Sequence, residues 1–319
     1  MKKTLFVFFA FFAAFANVSG AVASEELADL KYRANRGETD ALVALGECYE
    51  RGDGVPADRA VALSYYLVAF KKDKGNEDLQ ARIAVLGGAR FLSETGAAVA
   101  SGKTYVADLG NGTKLELAEI PAGTFLMGSR EYFPDEKQVR VKISEPFFLG
   151  KTEITQAQWS AVFEKNPSFF KKASLPVECV TWHEAMAFCE KLTARERRAG
   201  RLPKGMKFSL PTEEQWEYAC RAGTQTRFCS GETESDLSRV AWWKENSGET
   251  THEPAQKTPN AWGLYDMHGN VWEWCANFAR RGGGWNGTAK DCRAADSYRI
   301  VPVTRSRGIG FRVALVKDE

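Results

Sequence analysis

The sequence predicts an α+β protein in two parts, a small all-α helical segment followed by a larger domain of short strands, a few helices and many loops. Three observations carry this. Apolar residues recur at three-to-four spacing from about residue 25 to residue 93. A Gly/Ala/Ser stretch at 94–103 then breaks the pattern, as a linker does. Beyond it, over 104–319, alternating apolar residues, frequent glycine and dense tryptophan replace the helical spacing.

Ahead of the helical segment, Lys2 and Lys3, an apolar run from Leu5 to Ala16, and Ala21-Val22-Ala23 before Ser24 read as a secretory signal over residues 1–23. The run is too short for a membrane span. The expectation is an exported chain, periplasmic, cell-surface or secreted, with no transmembrane span after cleavage. Losing Lys2 and Lys3 lowers Lys+Arg from 43 to 41 against 41 Asp+Glu. A near-neutral chain argues against a nucleic-acid partner, which calls for a basic surface.

In the helical segment, Ala41, Leu45, Cys48 and Tyr49 share one face, and Ala60, Leu63, Leu67 and Phe70 share another. Arg51-Gly52-Asp53-Gly54-Val55-Pro56 turns the chain between them. In the larger domain, Val106–Leu109, Leu115–Ile120 and Thr124–Met127 read as strands, with Gly110-Asn111-Gly112 as a turn. Trp182–Leu192 reads as a helix burying Met186 and Cys189. Thr212–Cys220 reads as another, opened by Thr212 with Gln215 three residues on.

Seven cysteines in an exported chain predict disulfides, and the odd count leaves at least one thiol unpaired; Cys48, alone in the helical segment, is the natural remainder. Cys220 and Cys229 are close enough in sequence to close a short loop, with two free thiols as the equal alternative. The three histidines, His183, His252 and His268, show no metal-ligand spacing and are expected in surface or supporting roles.

Several motifs follow one another in a fixed order. They are Ile120-Pro121-Ala122-Gly123-Thr124-Phe125-Leu126-Met127-Gly128, Glu153-Ile154-Thr155, Pro176-Val177 with Val180-Thr181-Trp182, and Leu210-Pro211-Thr212-Glu213 with Trp216-Glu217-Tyr218-Ala219. Asn260-Ala261-Trp262-Gly263-Leu264-Tyr265-Asp266-Met267, Gly269-Asn270-Val271-Trp272-Glu273-Trp274, Arg281-Gly282-Gly283-Gly284-Trp285 and Gly310-Phe311-Arg312-Val313 complete the run. In this order they resemble the formylglycine-generating-enzyme, or sulfatase-modifying-factor, family. The resemblance implies a C-type-lectin-like fold. The helical segment, through Ala34, Gly37, Ala41, Leu45-Gly46, Tyr49, Gly52, Gly54-Val55, Asp58, Ala60 and Tyr65-Tyr66, is similar to a Sel1-like repeat. That likeness implies either a protein-contacting groove or a plain spacer hairpin.

In catalytic members of the family two cysteines five residues apart hold copper(I) and use oxygen to convert a substrate cysteine to formylglycine. By that resemblance the pair falls on Gly287 and Cys292, and the histidine beside the first is replaced by Thr288. A lone thiolate cannot reproduce a two-thiolate copper(I) site, so copper is not expected. Cys292 is then expected in a disulfide with Cys275. Cys189 and Cys220 match cysteines bridged in relatives, but Val313 and Ile300 stand where their partners would be. The resemblance also implies a structural calcium ion held by Asp266, Glu273 and the carbonyls of Gly269 and Val271; the alternative is that Asp266 caps a turn and Glu273 pairs with an arginine.

The function expected is a non-catalytic binding module in the cell envelope whose partner is a protein, peptide or glycan. Its recognition surface would span roughly 286–307, with Lys290, Asp291, Arg293, Asp296, Tyr298, Arg299, Thr304 and Arg305 as the candidate contacts. The rival expectation is a copper- and oxygen-dependent formylglycine-generating oxidoreductase acting on protein cysteine through Cys292.

Overall fold

The computed structural model describes residues 24–57, 59–73, 76–86, 103–129 and 138–318. The signal segment 1–23 lies outside the described residues, as does the linker apart from Lys103. Among the described residues no helix is long and apolar enough to cross a membrane. The chain divides into two compact units, Met1–Asp73 and Lys74–Glu319.

In the first unit, helices α1 (Ser24–Asn35), α2 (Thr39–Arg51) and α3 (Arg59–Lys72) are joined by tight turns. Gly52, in the left-handed region at φ 82°, ends α2 and returns its N–H to the Cys48 carbonyl. The predicted face of α2 buries Ala41, Leu45 and Cys48. The face of α3 differs from expectation: Ala62, Tyr66, Ala69 and Phe70 are buried, while Leu63 and Leu67 are only partly so. The cause is a notch at Gly46, where a Cβ would come within 2.5 Å of the Tyr66 ring. Tyr66 fills it and donates its hydroxyl to Glu50 at 2.7 Å, so the aromatic residue and not the leucines sets the rotation of α3.

The second unit contains α4 (Glu77–Val85) and then the mixed domain. Its larger sheet has the order β1 (Thr104–Asp108), β2 (Lys114–Ile120), β5 (Phe147–Gly150), β13 (Ala314–Lys317), β6 (Met206–Ser209), with antiparallel neighbours throughout. Strands β3 (Gly123–Met127) and β4 (Val139–Ile143) form a hairpin, and β7 (Ala241–Trp242) pairs in parallel with β8 (His268–Gly269). A second sheet has the order β11 (Ser297–Arg299), β10 (Ala279–Arg281), β9 (Trp272–Trp274), β12 (Ile309–Gly310), the last pair parallel.

Four helices complete the domain: α5 (Gln156–Ser160), α6 (Trp182–Arg198), α7 (Glu213–Arg221) and α8 (Glu234–Val240). Each opens with a reciprocal capping box, from Thr155, Thr181, Thr212 and Thr233 respectively. Such a box satisfies two of the N–H groups a helix start leaves unpaired, which is how helices as short as α5 hold their first turn. Leu117, Trp159, Phe188, Phe208, Trp274 and Phe311 anchor one core cluster. Trp216, Tyr218, Trp262 and Cys275 lie in a second, and Phe228, Leu237, Trp243 and Cys292 in a third. The mixed helix-and-strand class read from the sequence is the one observed.

Candidate functional site

The positions that the resemblance assigns to a copper pair lie in a tight turn after β10. Gly287 donates its N–H to the Gly284 carbonyl at 2.8 Å, and its own carbonyl accepts from Lys244. A Cβ at 287 would sit 3.1 Å from the Gly284 oxygen and 3.4 Å from the Asp291 Cβ. Thr288 turns its N–H and its hydroxyl onto one Asp291 oxygen, at 2.7 and 2.8 Å. Asp291 is therefore a turn-former as well as a partly exposed acid.

Cys292 is fully buried beneath Gly283, where a Cβ would meet its Sγ at 2.5 Å. Burial, reinforced by Asp291 and Asp296, pushes its thiol far above the ordinary range. A buried, protonated thiol with glycine as its counterpart does not fit copper(I), which needs soft thiolates.

His268 holds this segment from below. Its Nδ1 lies 2.7 Å from the Cys292 carbonyl and its Nε2 accepts the Cys229 N–H at 3.0 Å, with the Cys220 sulfur at 3.5 Å. These bonds assign the proton to Nδ1. Burial lowers the pKa of the imidazole to about 4, so it is neutral at pH 7. Of the surface or supporting roles expected for it, the structure gives the supporting one: it is fully buried and holds the backbone at Cys292.

All seven cysteines are free, so the predicted Cys275–Cys292 bridge is not formed, nor is a Cys220–Cys229 loop. Cys275 packs in the cluster of Trp216 and Met267, whereas Cys292 packs with Phe228 and Trp243. Adjacency to core motifs buried both thiols but in separate clusters.

The two carboxylates expected around calcium each have protein partners. Glu273 accepts from Arg312 through both oxygens at 2.7 Å and from the Trp216 indole at 2.7 Å. The bidentate guanidinium neutralises this carboxylate, the arginine pairing expected as the alternative to calcium. Gly269 is held at φ 80° against the Trp242 carbonyl, and its N–H is bonded to Gly282. Val271 is buried on the way into β9. Asp266 accepts the Ala255 N–H at 2.7 Å through one oxygen, and its other oxygen is buried without a partner.

Sequence reasoning also missed Glu153 at this place. It is fully buried, with neither oxygen partnered among the described residues. Burial, and then the neighbouring Asp266, push its carboxyl well above the usual range. The Glu153-Ile154-Thr155 motif flagged the residue but not its surroundings.

A second buried ion pair joins two more motifs: Glu217 binds Arg281 at 2.9 Å and Arg221 at 2.8 Å. The charged residues of the motifs are thus spent on holding the scaffold.

The expected recognition surface divides. Arg293 and Asp296 are buried and paired with each other at 3.0 Å, so they shape the loop instead of displaying themselves, a correction to the expected contacts. Arg305 is tied to Glu184 at 2.7 Å and to the Cys179 carbonyl. Thr304 is half-buried in a turn closed by its own N–H on the Val301 carbonyl. Lys290, Tyr298 and Arg299 remain exposed. Around Tyr298 the structure adds residues not predicted: Arg280 and Trp272 beside it, and Phe278, Val301 and Val303 exposed nearby. Apolar residues beside a strand, as Phe278 is, or in a turn, as Val301 and Val303 are, were the available signal for the last three.

Residues 108–317 match the family described as Sulfatase-modifying factor enzyme 1-like domain. The chain is 28% identical over 239 residues to the Chaperone protein LppX of Paenibacillus barcinonensis, covering 58% of this chain and 81% of that one. It is 28% identical over 287 residues to the Inactive C-alpha-formylglycine-generating enzyme 2 of Bos taurus, covering 65% of this chain and 90% of the relative. Among solved structures, Treponema denticola variable protein 1 superimposes with a TM-score of 0.61 at 29% identity, covering 66% of this chain and 98% of that one. The fold is the C-type-lectin-like one that the motifs implied.

Proposed function

Because the chain belongs to the family of Sulfatase-modifying factor enzyme 1-like domains, we propose that it is an exported member acting as a non-catalytic binding module. Its C-terminal surface would meet a protein, peptide or glycan in the cell envelope, and its Sel1-like segment would offer a second contact to a protein partner. The observation that carries this reading is Gly287 in place of a thiolate, with Cys292 sealed beneath Gly283 and protonated. Metal-thiolate chemistry needs two exposed, ionised sulfurs. Family members named as an inactive formylglycine-generating enzyme and as a chaperone support a role for the scaffold outside that chemistry.

Copper(I) titration of the reduced protein, beside Cys292→Ser, tests the reading. The expected result is weak binding that is the same in both proteins. Tight binding lost in Cys292→Ser, with oxygen consumption, would restore the oxidase.

A further inference from the structure

We propose that Arg280 is the anion-binding centre of the C-terminal surface and that its occupant is an extended, acidic peptide segment of another protein. This rests on the binding-module reading above and names the chemistry of its partner.

Arg280 projects from β10 between aromatic residues of the neighbouring strands. Its guanidinium lies 4.5 Å from the Trp272 ring and 5.6 Å from the Tyr298 ring, and those two rings meet edge-to-face at 6.0 Å. Its Nε is buried and has no hydrogen-bond partner among the described residues. The contrast with the other enclosed arginines is direct. Arg221 and Arg281 each have Glu217, Arg293 has Asp296 and Arg312 has Glu273. The nearby acids attract it through space without an ion pair: Asp291 is bonded to the Thr288 turn and Asp296 pairs with Arg293 through one oxygen. Arg280 alone of this group is held by aromatic rings and left without a carboxylate.

A guanidinium fixed flat against rings keeps its planar fork pre-organised, and the group matching that fork is a carboxylate, bound through two parallel N–H bonds. Stacking also removes the side-chain entropy that a free arginine would lose on binding.

What surrounds Arg280 selects a peptide. Phe278, Tyr298, Val301 and Val303 are 42%, 48%, 67% and 67% exposed. They form one rim: Ile300 donates its N–H to the Phe278 carbonyl, the Pro302 carbonyl accepts from Trp182, and the Trp182 and Phe278 rings lie 4.7 Å apart. Arg299 faces the other side of β11 together with Ser297, and Glu213 lies 3.9 Å from it. Within its sheet β11 is an edge strand. A sheet edge with apolar groups around a cation is complementary to an extended chain that alternates apolar and acidic side chains.

Fluorescence anisotropy of the full chain with labelled valine–glutamate, valine–glutamine and valine–lysine alternating peptides tests the proposal. The glutamate peptide should bind saturably and about tenfold or more tighter than the glutamine peptide, and the lysine peptide should not bind. Arg280→Met, which keeps the aliphatic packing, should abolish that preference, and Arg280→Lys, which keeps charge without the fork, should restore only part of it. Equal affinity for the glutamate and glutamine peptides, no saturable binding of the glutamate peptide, or a preference unchanged in Arg280→Met would overturn the proposal. Such a failure alongside weak, Cys292-independent copper binding would remove the acidic occupant alone, whereas tight Cys292-dependent copper would remove the binding module itself.

Discussion

Arg312 sits among Glu153, Asp266 and Glu273, and it balances one of three buried carboxylates outright. Removing a partner from a buried pair leaves a charge with nothing to replace water. Arg312→Met should therefore lower unfolding stability by about 3–5 kcal/mol in urea titration; a loss under about 1 kcal/mol would mean the cluster is solvated. His268 gives a second test. Its folded pKa is depressed from 6.5 to about 4 by burial, so its contribution is complete above pH 6.5 and is lost as the pH falls through 4. NMR titration of the imidazole should place the midpoint near 4, and a midpoint near 6.5 would contradict the buried placement. The sequence could name Glu273 and Arg312 as motif residues and could raise an arginine partner as an alternative to calcium. It could not choose, because the two are 39 positions apart and only the fold brings them to 2.7 Å. The same holds for Arg293 and Asp296, whose polar character suggested display while their burial makes them structural.

At the scale of elements, the capping boxes show what local spacing can and cannot reveal. Thr212 with Gln215 was readable because an apolar helix followed; Thr155 with Gln158 and Thr233 with Asp236 precede helices of five and seven residues, too short for a periodic signal. Thr212→Ala should cost about 1 kcal/mol through loss of the cap, read by thermal or denaturant unfolding. No change would mean that α7 is held by Trp216 and Glu217 alone. The parallel pairing of β9 with β12 was not legible at all, since strands of two and three residues carry no alternation. In the first unit, periodicity located α3 but misjudged its buried face, because the deciding feature is the notch at Gly46 on another helix.

Across the whole molecule, motif order was enough to give the fold, because it reflects the strands, caps and buried pairs that build it. β13 closes the larger sheet between β5 and β6, which places the final motif, Gly310-Phe311-Arg312-Val313, in the core. The disulfide expected between Cys275 and Cys292 is not formed because the fold buries the two thiols in separate clusters. Our reading is that the scaffold is kept and the copper–thiol chemistry lost. Its most direct test is incubation of the copper-loaded protein under air with a Cys-x-Pro-x-Arg peptide, followed by mass spectrometry. An unmodified substrate cysteine is the predicted result. A loss of about 18 mass units on that cysteine, produced by the wild type and abolished in Cys292→Ser, would show that the protein is a formylglycine-generating enzyme after all.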